Sequence, residues 1–237
     1  MIVLKSIISA TNLTKIYIMG EVKVEALKGV DFEIYDGEFV VILGPSGSGK
    51  STMLNIIGGI DQPTEGTISY KGKCLAKASE KELTSYRRGA VGFVFQFYNL
   101  IPNLTAKENI ELAAELSNDP KSPQELLEKV GLSERALNFP SQMSGGEQQR
   151  VATARALSKN PDILLCDEPT GALDIKTGIH VLNVLRSFNR DYGKTVIIIT
   201  HNAGIGAMAD RIFHIKDGLI DKIVINEAPV SPAEVIW

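Results

Sequence analysis

The chain has 237 residues, of which 44% are hydrophobic and 22% charged, and its formal net charge is −3 at pH 7. These values are near the average for globular proteins and exclude an intrinsically disordered, collagen-like or disulfide-framework protein. The slightly acidic balance also argues against a nucleic-acid-binding protein, which would usually present a basic face.

Cys74 and Cys166 are too few for a network of disulfides, so we expect both to be reduced in a cytosolic protein. Met1–Ala10 lacks the pattern of a secretory signal, and no apolar run reaches the roughly 18–20 residues that span a bilayer. If the protein works at a membrane, another polypeptide must hold it there.

The first third of the chain is typical of short strands that alternate with turns. Asp36-Gly37 is a strong turn signal between two of them. The middle of the chain, from about residue 99 to 159, has the three- and four-residue apolar spacing of helices. We predict strands at Ile7–Leu13, Val30–Ile34, Phe39–Leu43, Thr67–Tyr70 and Val91–Phe95, and helices at Ala106–Leu116 and Ser122–Val130.

Fully apolar runs return at Ile163–Cys166 and Val196–Thr200, which suits parallel strands that are covered on both faces. A helix predicted over Thr177–Tyr192 would connect them as a crossover. The sequence therefore predicts an α/β core that is interrupted by a helical insertion. A hairpin is expected over Ile212–Lys216 and Leu219–Val224, and the tail from Asn226 to Trp237 is expected to be weakly ordered.

A glycine-rich segment fits the pattern G-x-x-x-x-G-K-[ST] between a predicted strand and a predicted helix. Its glycines let backbone N–H groups turn toward phosphate oxygens, and the helix that follows points its positive end at the same anion. Lys50 can reach β- and γ-phosphates, and the Ser51 hydroxyl can bind Mg²⁺. The predicted nucleotide-binding residues are Gly44, Pro45, Ser46, Gly47, Ser48, Gly49, Lys50, Ser51 and Thr52.

A second anion site is predicted at Ser144, Gly145, Gly146 and Glu147. Ser144 and Glu147 form a capping box, and the glycines leave the N–H groups of a helix start unobstructed. The same four residues are also compatible with an ordinary capped helix. Because the glycine-rich loop already forms a full cradle, a second site suggests a nucleotide held by another copy of the chain.

Polar residues follow three of the predicted strands. Asp167 and Glu168 end the run at Ile163–Cys166, where ligands bind in parallel sheets. Gln96 and His201 follow two other strands, so we expect them at the same sheet edge as Lys50.

Met143–Arg150 resembles the signature motif of ATP-binding cassette (ABC) proteins, in which Leu is commonest at the first position and Gln at the fifth. By this resemblance, Asp167 holds Mg²⁺ together with Ser51 and Gln96, Glu168 deprotonates the attacking water, and His201 binds the γ-phosphate. Tyr17 resembles the aromatic residue that stacks on adenine. Gly171-Ala172-Leu173-Asp174 resembles a dimer-contact loop in which Ser usually stands first.

The resemblance covers roughly Ala10 to Val224. It implies a P-loop NTPase core with a mostly parallel sheet, an N-terminal antiparallel β subdomain and an inserted α-helical subdomain. The core lobe would comprise about residues 1–98 and 158–225, and the helical lobe about 99–157. The implied protein is an ATPase that uses ATP and Mg²⁺ and forms a homodimer around two ATP molecules. Its implied partner is a separate permease at the cytoplasmic face of the membrane, contacted near Phe97–Leu104.

Within the family, Gly92–Asn109 and Ser144–Arg150 are similar to the lipoprotein-release, macrolide-export and antimicrobial-peptide-resistance branch. Amino-acid importer ATPases share much of the pattern at Phe97–Thr105 and are the alternative. A chromosome- or repair-type ABC ATPase would carry long coiled-coil arms, a translation-associated one would usually hold two cassettes, and a GTPase would need Asn-Lys-x-Asp. The sequence has none of these features.

Overall fold

The computed structural model describes residues 5–237, which form two β-sheets and a set of helices. The strands are β1 (Ser6–Met19), β2 (Val22–Tyr35), β3 (Phe39–Leu43), β4 (Glu65–Tyr70), β5 (Lys73–Cys74), β6 (Val91–Val94), β7 (Ile163–Asp167), β8 (Thr195–Thr200), β9 (Arg211–Lys216) and β10 (Leu219–Ile225). The α-helices are α1 (Lys50–Ile57), α2 (Glu80–Ala90), α3 (Ala106–Ala114), α4 (Pro123–Lys129), α5 (Gly145–Ser158), α6 (Ile175–Tyr192) and α7 (Ala203–Gly206).

The larger sheet has six strands in the order β10-β9-β3-β8-β7-β6. Five of them are parallel, and β10 returns antiparallel to β9 as the predicted hairpin. Every residue of β3 and β8 is buried, which explains why both segments are continuous apolar runs. The carboxyl ends of β3, β6, β7 and β8 lie along one edge, as the predicted α/β core requires.

The smaller sheet is antiparallel, in the order β2-β1-β4-β5. It confirms the N-terminal β subdomain, but β1 and β2 are each 14 residues long and extend well beyond the predicted Ile7–Leu13 and Val30–Ile34. The apolar residues of their outer halves, such as Ile18, Val22 and Val24, are exposed, so these halves have no buried apolar face and are defined by pairing between the two strands. This extension brings Tyr17 opposite Val24.

Helix α2 has no counterpart among the predicted elements. It begins with a capping box between Ser79 and Glu82 and buries only Leu83, Tyr86 and Ala90 on one face. Because so few of its residues are apolar, the sequence gives little periodicity from which to predict it. Among residues 5–237, no helix has both the length and the hydropathy that crossing a bilayer requires.

The tail from Asn226 to Trp237 is ordered, so the prediction of a weakly ordered end is wrong. The Asn226 side-chain amide donates to the carbonyl oxygens of Ala207 (2.8 Å) and Ala209 (2.9 Å), which anchors the start of the tail. Pro232–Glu234 then forms a 3₁₀ turn, and Val235 is buried with only 6% exposed. The tail is ordered because its apolar side chains are buried against the core, a contact that its two prolines, Pro229 and Pro232, do not predict.

Two helical glycines make room for the end of this tail. A Cβ atom on Gly178 in α6 would lie 2.3 Å from the ring of Trp237, and one on Gly204 in α7 would lie 1.8 Å from the Ile236 carbonyl oxygen. Glycine weakens a helix interior, so its presence at both contacts is consistent with the close packing of the tail.

Gly178→Ala and Gly204→Ala should both displace the tail. Trp237 is the chain's single tryptophan, so its fluorescence emission should shift to the red in either variant under native conditions. The matched control is Gly89→Ala in α2, where a Cβ has nothing within 4 Å. That control should keep the emission maximum and gain about 0.5–1 kcal/mol of stability. Unshifted emission in both tail variants would contradict the packing described.

Asp162, just before β7, connects the two sheets at the edge opposite the carboxyl ends. It accepts hydrogen bonds from the Tyr70 hydroxyl (2.5 Å), from Lys71 Nζ (2.6 Å) and from Lys194 Nζ (3.2 Å). Burial by itself would raise the pKa of Asp162, but the bonds from Lys71, Tyr70 and Lys194 outweigh it and lower that pKa to about 2.

The pKa of Asp162 is therefore lower in the folded chain than the value of about 3.9 expected in the unfolded chain. Its stabilising effect is present above about pH 4 and is lost as the pH falls toward 2. Asp162→Asn should cost about 1–2 kcal/mol of unfolding free energy at pH 7, allowing for solvent screening. In urea titrations, the difference in unfolding free energy between Asp162→Asn and the parent chain should shrink between pH 4 and 2. The matched control is Asp221→Asn, at an exposed position, which should have the same unfolding free energy as the parent chain.

Candidate active site

A cleft of about 440 Å³ opens at the carboxyl edge of the parallel sheet, beside the start of α1. It lies between the glycine-rich loop after β3, the outer half of the β1–β2 hairpin and the ends of β6 and β7. Its lining includes Tyr17, Val24, Glu25, Ala26, Ser46, Gly47, Gly49, Lys50, Ser51, Thr52, Gln96, Asp167 and Glu168.

The glycine-rich loop has the backbone conformation that its sequence requires. Gly47 and Gly49 have φ values of 78° and 103°, in the left-handed region that side chains disfavour. A Cβ on Gly49 would also lie 2.4 Å from the carbonyl oxygen of Ala26 in β2. The loop thus packs directly against the hairpin, and the N–H groups at the start of α1 are free to face an anion in the cleft.

Lys50 is only 8% exposed. Its ammonium donates to the carbonyl oxygens of Gly44 (2.7 Å) and Pro45 (2.9 Å) in the same loop. Burial lowers the pKa of Lys50, whereas the nearby carboxylates of Glu168 and Asp167 raise it and limit the change. The arrangement places a positive charge at the floor of the cleft, opposite two acids.

Asp167 is the last residue of β7, level with Ile199 in the neighbouring strand β8. Burial raises the pKa of Asp167, and the charge of Glu168 raises it further, against the opposing effects of Lys50 and the Ser51 hydroxyl. The two adjacent carboxylates thus concentrate negative charge beside the phosphate loop. This is the environment in which a divalent cation is electrostatically favoured.

The backbone turns sharply at Glu168, where φ is +46°. Its N–H donates to the Ile199 carbonyl oxygen (2.9 Å), so the residue stays attached to β8. Its Oε2 accepts a hydrogen bond from the Thr200 hydroxyl (2.8 Å). Its Oε1 lies 2.9 Å from the backbone nitrogen of His201 and 2.8 Å from Nδ1 of the same histidine. His201 does not itself line the cleft and reaches it through Glu168.

The Tyr17 ring forms one wall of the cleft and is oriented by an ion pair behind it. Its hydroxyl donates to Asp61 Oδ2 (2.8 Å), and Lys15 Nζ lies 2.5 Å from Asp61 Oδ1. The Lys15 ammonium is 5.0 Å from the centre of the Tyr17 ring but does not line the cleft. Burial raises the pKa of the Tyr17 phenol, as does its hydrogen bond to Asp61, so the hydroxyl stays protonated.

The predicted second anion site lies at the start of α5, and none of Ser144, Gly145, Gly146 and Glu147 lines the cleft. Ser144 accepts the Glu147 N–H (3.3 Å), and the Glu147 carboxylate accepts the Ser144 N–H (2.8 Å), which is the predicted capping box. Glu147 also lies 3.2 Å from Arg135 Nε. The hydrogen bond from the Ser144 N–H lowers the pKa of Glu147, so this side chain is a charged helix cap.

The segment that resembles a dimer-contact loop borders both regions. The Gly171 N–H donates to the Glu168 carbonyl oxygen (3.1 Å), and Asp174 caps α6 by accepting the Thr177 N–H (3.0 Å). A Cβ on Gly146 would lie 3.0 Å from the Thr177 methyl group. The start of α5 therefore packs on the start of α6.

Gln96 lines the cleft, and the chain after it is fixed to α5. Tyr98 and Asn99 have φ values of 53° and 50°, and their carbonyl oxygens accept hydrogen bonds from the Arg155 guanidinium at 2.9 and 2.5 Å. A Cβ on Gly145 would lie 2.8 Å from the Tyr98 hydroxyl. The turn after Gln96 thus contacts α5 near its first residue and again at Arg155.

The structure therefore gathers Tyr17, the loop from Ser46 to Thr52, Gln96, Asp167 and Glu168 at one cleft, with His201 attached through Glu168. Gly44, Pro45 and Ser48 shape the loop without lining the cleft. Sequence reasoning missed Thr200, Asp61 and Arg155. Thr200 could have been noticed as the last residue of an apolar strand before His201, whereas Asp61 and Arg155 act through contacts that no local pattern signals.

The family model described as ABC transporter matches residues 27–171. An uncharacterized ABC transporter ATP-binding protein of Methanocaldococcus jannaschii, MJ0796, is 49% identical over 224 residues, which are 91% of this chain and 95% of that protein. The macrolide export ATP-binding/permease protein MacB of Nitrobacter winogradskyi is 46% identical over 90% of this chain, which spans only 34% of that relative.

A solved structure gives the same result. The dimeric structure of a post-hydrolysis state of the ATP-binding cassette MJ0796 bound to ADP and Pi superposes with a TM-score of 0.86 at 45% identity, covering 92% of this chain and 98% of that one. At this coverage the match includes most of the chain. This chain belongs to the ABC transporter family, as one of its ATP-binding cassettes.

Proposed function

We propose that this ATPase powers a separate membrane permease by closing, as a homodimer, around two ATP molecules. The observation that carries the proposal is the separation, on one chain, of the phosphate loop from the helix start at which the second anion site is predicted. The cleft holds the phosphate loop and both acids, while the capped start of α5 lies outside it. A second copy in head-to-tail orientation would bring its own Ser144 and Gly146 to the phosphate in this cleft.

Within the cleft, the loop N–H groups and Lys50 would hold the β- and γ-phosphates, and Tyr17 would stack on adenine. Ser51, Gln96 and Asp167 would hold Mg²⁺, since a hydroxyl, an amide oxygen and a carboxylate are the donors this ion prefers. The ion would neutralise charge on the phosphates. Among the described residues, no group of three or more His, Cys, Asp or Glu side chains is arranged to hold a metal ion.

Glu168 would act as the base. It would accept a proton from the water that attacks the γ-phosphorus, while the bond from that phosphorus to the β–γ bridging oxygen breaks and ADP leaves. His201, whose side chain is 68% exposed, would contact the γ-phosphate. Loss of the bridging phosphate would let the two copies separate.

A surface for the permease lies beside Gln96. Phe97 is 81% exposed and Ile101 40%, and Leu137 and Phe139 are also exposed. The Ala106 N–H donates to the Asn138 carbonyl oxygen (2.8 Å), which brings the segment around Leu137 beside the start of α3. Exposed apolar side chains of this kind are typical of protein interfaces. Through Arg155, this surface is connected to α5, the helix that Ser144 caps.

The likeness to a macrolide export protein supports the lipoprotein-release, macrolide-export and antimicrobial-peptide-resistance branch. We therefore propose export, extrusion or mechanical transmission for lipophilic or peptide-like substrates, with the chain held at the cytoplasmic face of the membrane by its permease. Co-purification of a membrane protein with the tagged chain would test this assignment.

Tyr17→Ala should weaken ATP binding about 5- to 150-fold, because stacking of an aromatic side chain on a base contributes about 1–3 kcal/mol. Tyr17→Phe keeps the ring and loses only the hydrogen bond to Asp61, so its affinity should stay much closer to that of the parent. Isothermal titration with ATP measures both. Equal losses in the two variants would point to the hydroxyl rather than the ring.

Glu168→Gln should reduce ATP turnover roughly 10²- to 10⁴-fold, because the amide cannot accept the proton from water. ATP should then accumulate on the variant and hold it as a dimer, which size-exclusion chromatography with light scattering would detect at saturating ATP and Mg²⁺. Ser144→Arg on the same background should abolish that dimer while each cleft still binds ATP. Undiminished turnover by Glu168→Gln would remove Glu168 from the proposed role.

A further inference from the structure

We propose that Thr200 is a positioning residue for Glu168, which fixes one carboxylate oxygen and leaves the other to act on water. The inference rests on the proposed role of Glu168 as the base. Thr200 is the last residue of β8 and is only 1% exposed. It stands level with Leu43 in β3, and the N–H of Glu168 is bonded to the preceding residue, Ile199.

The direction of the hydrogen bond is fixed by the neighbours of the Thr200 hydroxyl. Its oxygen lies 3.1 Å from the backbone nitrogen of Asn202, and an N–H can only donate. The hydroxyl therefore accepts from Asn202, and it gives its own proton to Glu168 Oε2, 2.8 Å away, because an ionised carboxylate can only accept. Oε2 of Glu168 is thus held by the Thr200 hydroxyl, which is itself fixed by the hydrogen bond that it accepts from Asn202.

The second oxygen has a different kind of partner. Oε1 accepts the backbone N–H of His201 and lies 2.8 Å from its Nδ1, which must donate because a carboxylate only accepts. The His201 side chain is 68% exposed, so its ring can rotate away, whereas Thr200 is enclosed and anchored. Oε2 therefore has one enclosed partner, whereas Oε1 keeps the backbone N–H of His201 and can lose its bond to the ring.

Rotation of the ring changes the bonding of Oε1 alone, and this change points to Oε1 as the proton acceptor. When the His201 ring leaves, a lone pair on Oε1 becomes free and Oε2 stays bonded to Thr200. Water then transfers a proton to Oε1 as its oxygen bonds to the γ-phosphorus and the bond to the bridging oxygen breaks. The hydroxyl of Thr200 keeps its own proton throughout, so it orients the base and takes no part in the transfer.

Thr200→Val removes the hydroxyl and keeps the shape, so kcat for ATP hydrolysis should fall roughly 10- to 100-fold through misplacement of the base. The KM for ATP and the affinity for ATP should change less than about twofold, because binding does not use this group. Thr200→Ser restores the hydroxyl and should recover most of the activity. The matched control is Thr195→Val, on the same strand and equally buried, whose hydroxyl contacts Gly37 and Tyr35 at the opposite end of the sheet.

Melting temperatures and ATP titrations for each variant separate misfolding from misplacement. The proposal is overturned if folded Thr200→Val keeps its kcat, if its loss appears in KM, or if Thr195→Val loses kcat equally at a similar melting temperature. Adding Thr200→Val to Glu168→Gln should cause no further loss of turnover. If Glu168→Gln is fully active, the proposed base is wrong; if it is inactive while Thr200→Val is not, only the inference about Thr200 fails.

Discussion

The site depends on the register of three parallel strands. Pairing of β3 with β8 places Leu43 level with Thr200, and pairing of β7 with β8 places Asp167 level with Ile199. The three strands therefore end within one residue of each other, and each is followed directly by a segment of the site. A shift by one residue in any pair would turn the terminal side chains to the other face of the sheet and separate the phosphate loop from the acids.

The charges of Lys50 and Asp167 at this edge stabilise each other because the two side chains are close, although they form no direct ion pair. Burial opposes ionisation of both Lys50 and Asp167, so it lowers the pKa of the first and raises that of the second. Each charge in turn favours ionisation of the other, which limits both shifts. The pKa values of both side chains should respond strongly to a bound anion or cation, because the new charge acts at short range in a partly desolvated cleft.

The sequence predicts this site well wherever chemistry and local spacing coincide. Each of these segments is continuous in sequence and follows a buried apolar strand: the loop from Gly44 to Ser51 is one, and the pair Asp167 and Glu168 is the other. The chemical type of these residues and their place at the sheet edge can therefore be inferred from the local sequence. The capping box at Ser144 is equally local, and the structure contains it. Such features need no knowledge of how distant segments pack.

What sequence reasoning missed depends on contacts between segments distant in the chain. Asp61 orients Tyr17 from a loop 44 residues away, and Arg155 binds a turn more than 50 residues earlier. Helix α2 buries only one narrow apolar face, so its periodicity is weak. The tail is ordered by Val235 and by space above two helical glycines, which the composition of the tail itself does not encode.

The turn after Gln96 shows why these missed contacts matter for function. Tyr98 and Asn99 are consecutive residues in the left-handed region, which costs about 1–2 kcal/mol for an ordinary residue and less for asparagine. Hydrogen bonds from the charged Arg155 to both carbonyl oxygens offset that cost at about 1.5–3 kcal/mol each. The turn is therefore stable only while α5 stays in place, so displacement of Phe97 would have to move α5 or break the turn. Displacement of α5 would move Gln96 in the cleft and Ser144 at the start of α5 together, whereas a broken turn would move Gln96 without α5.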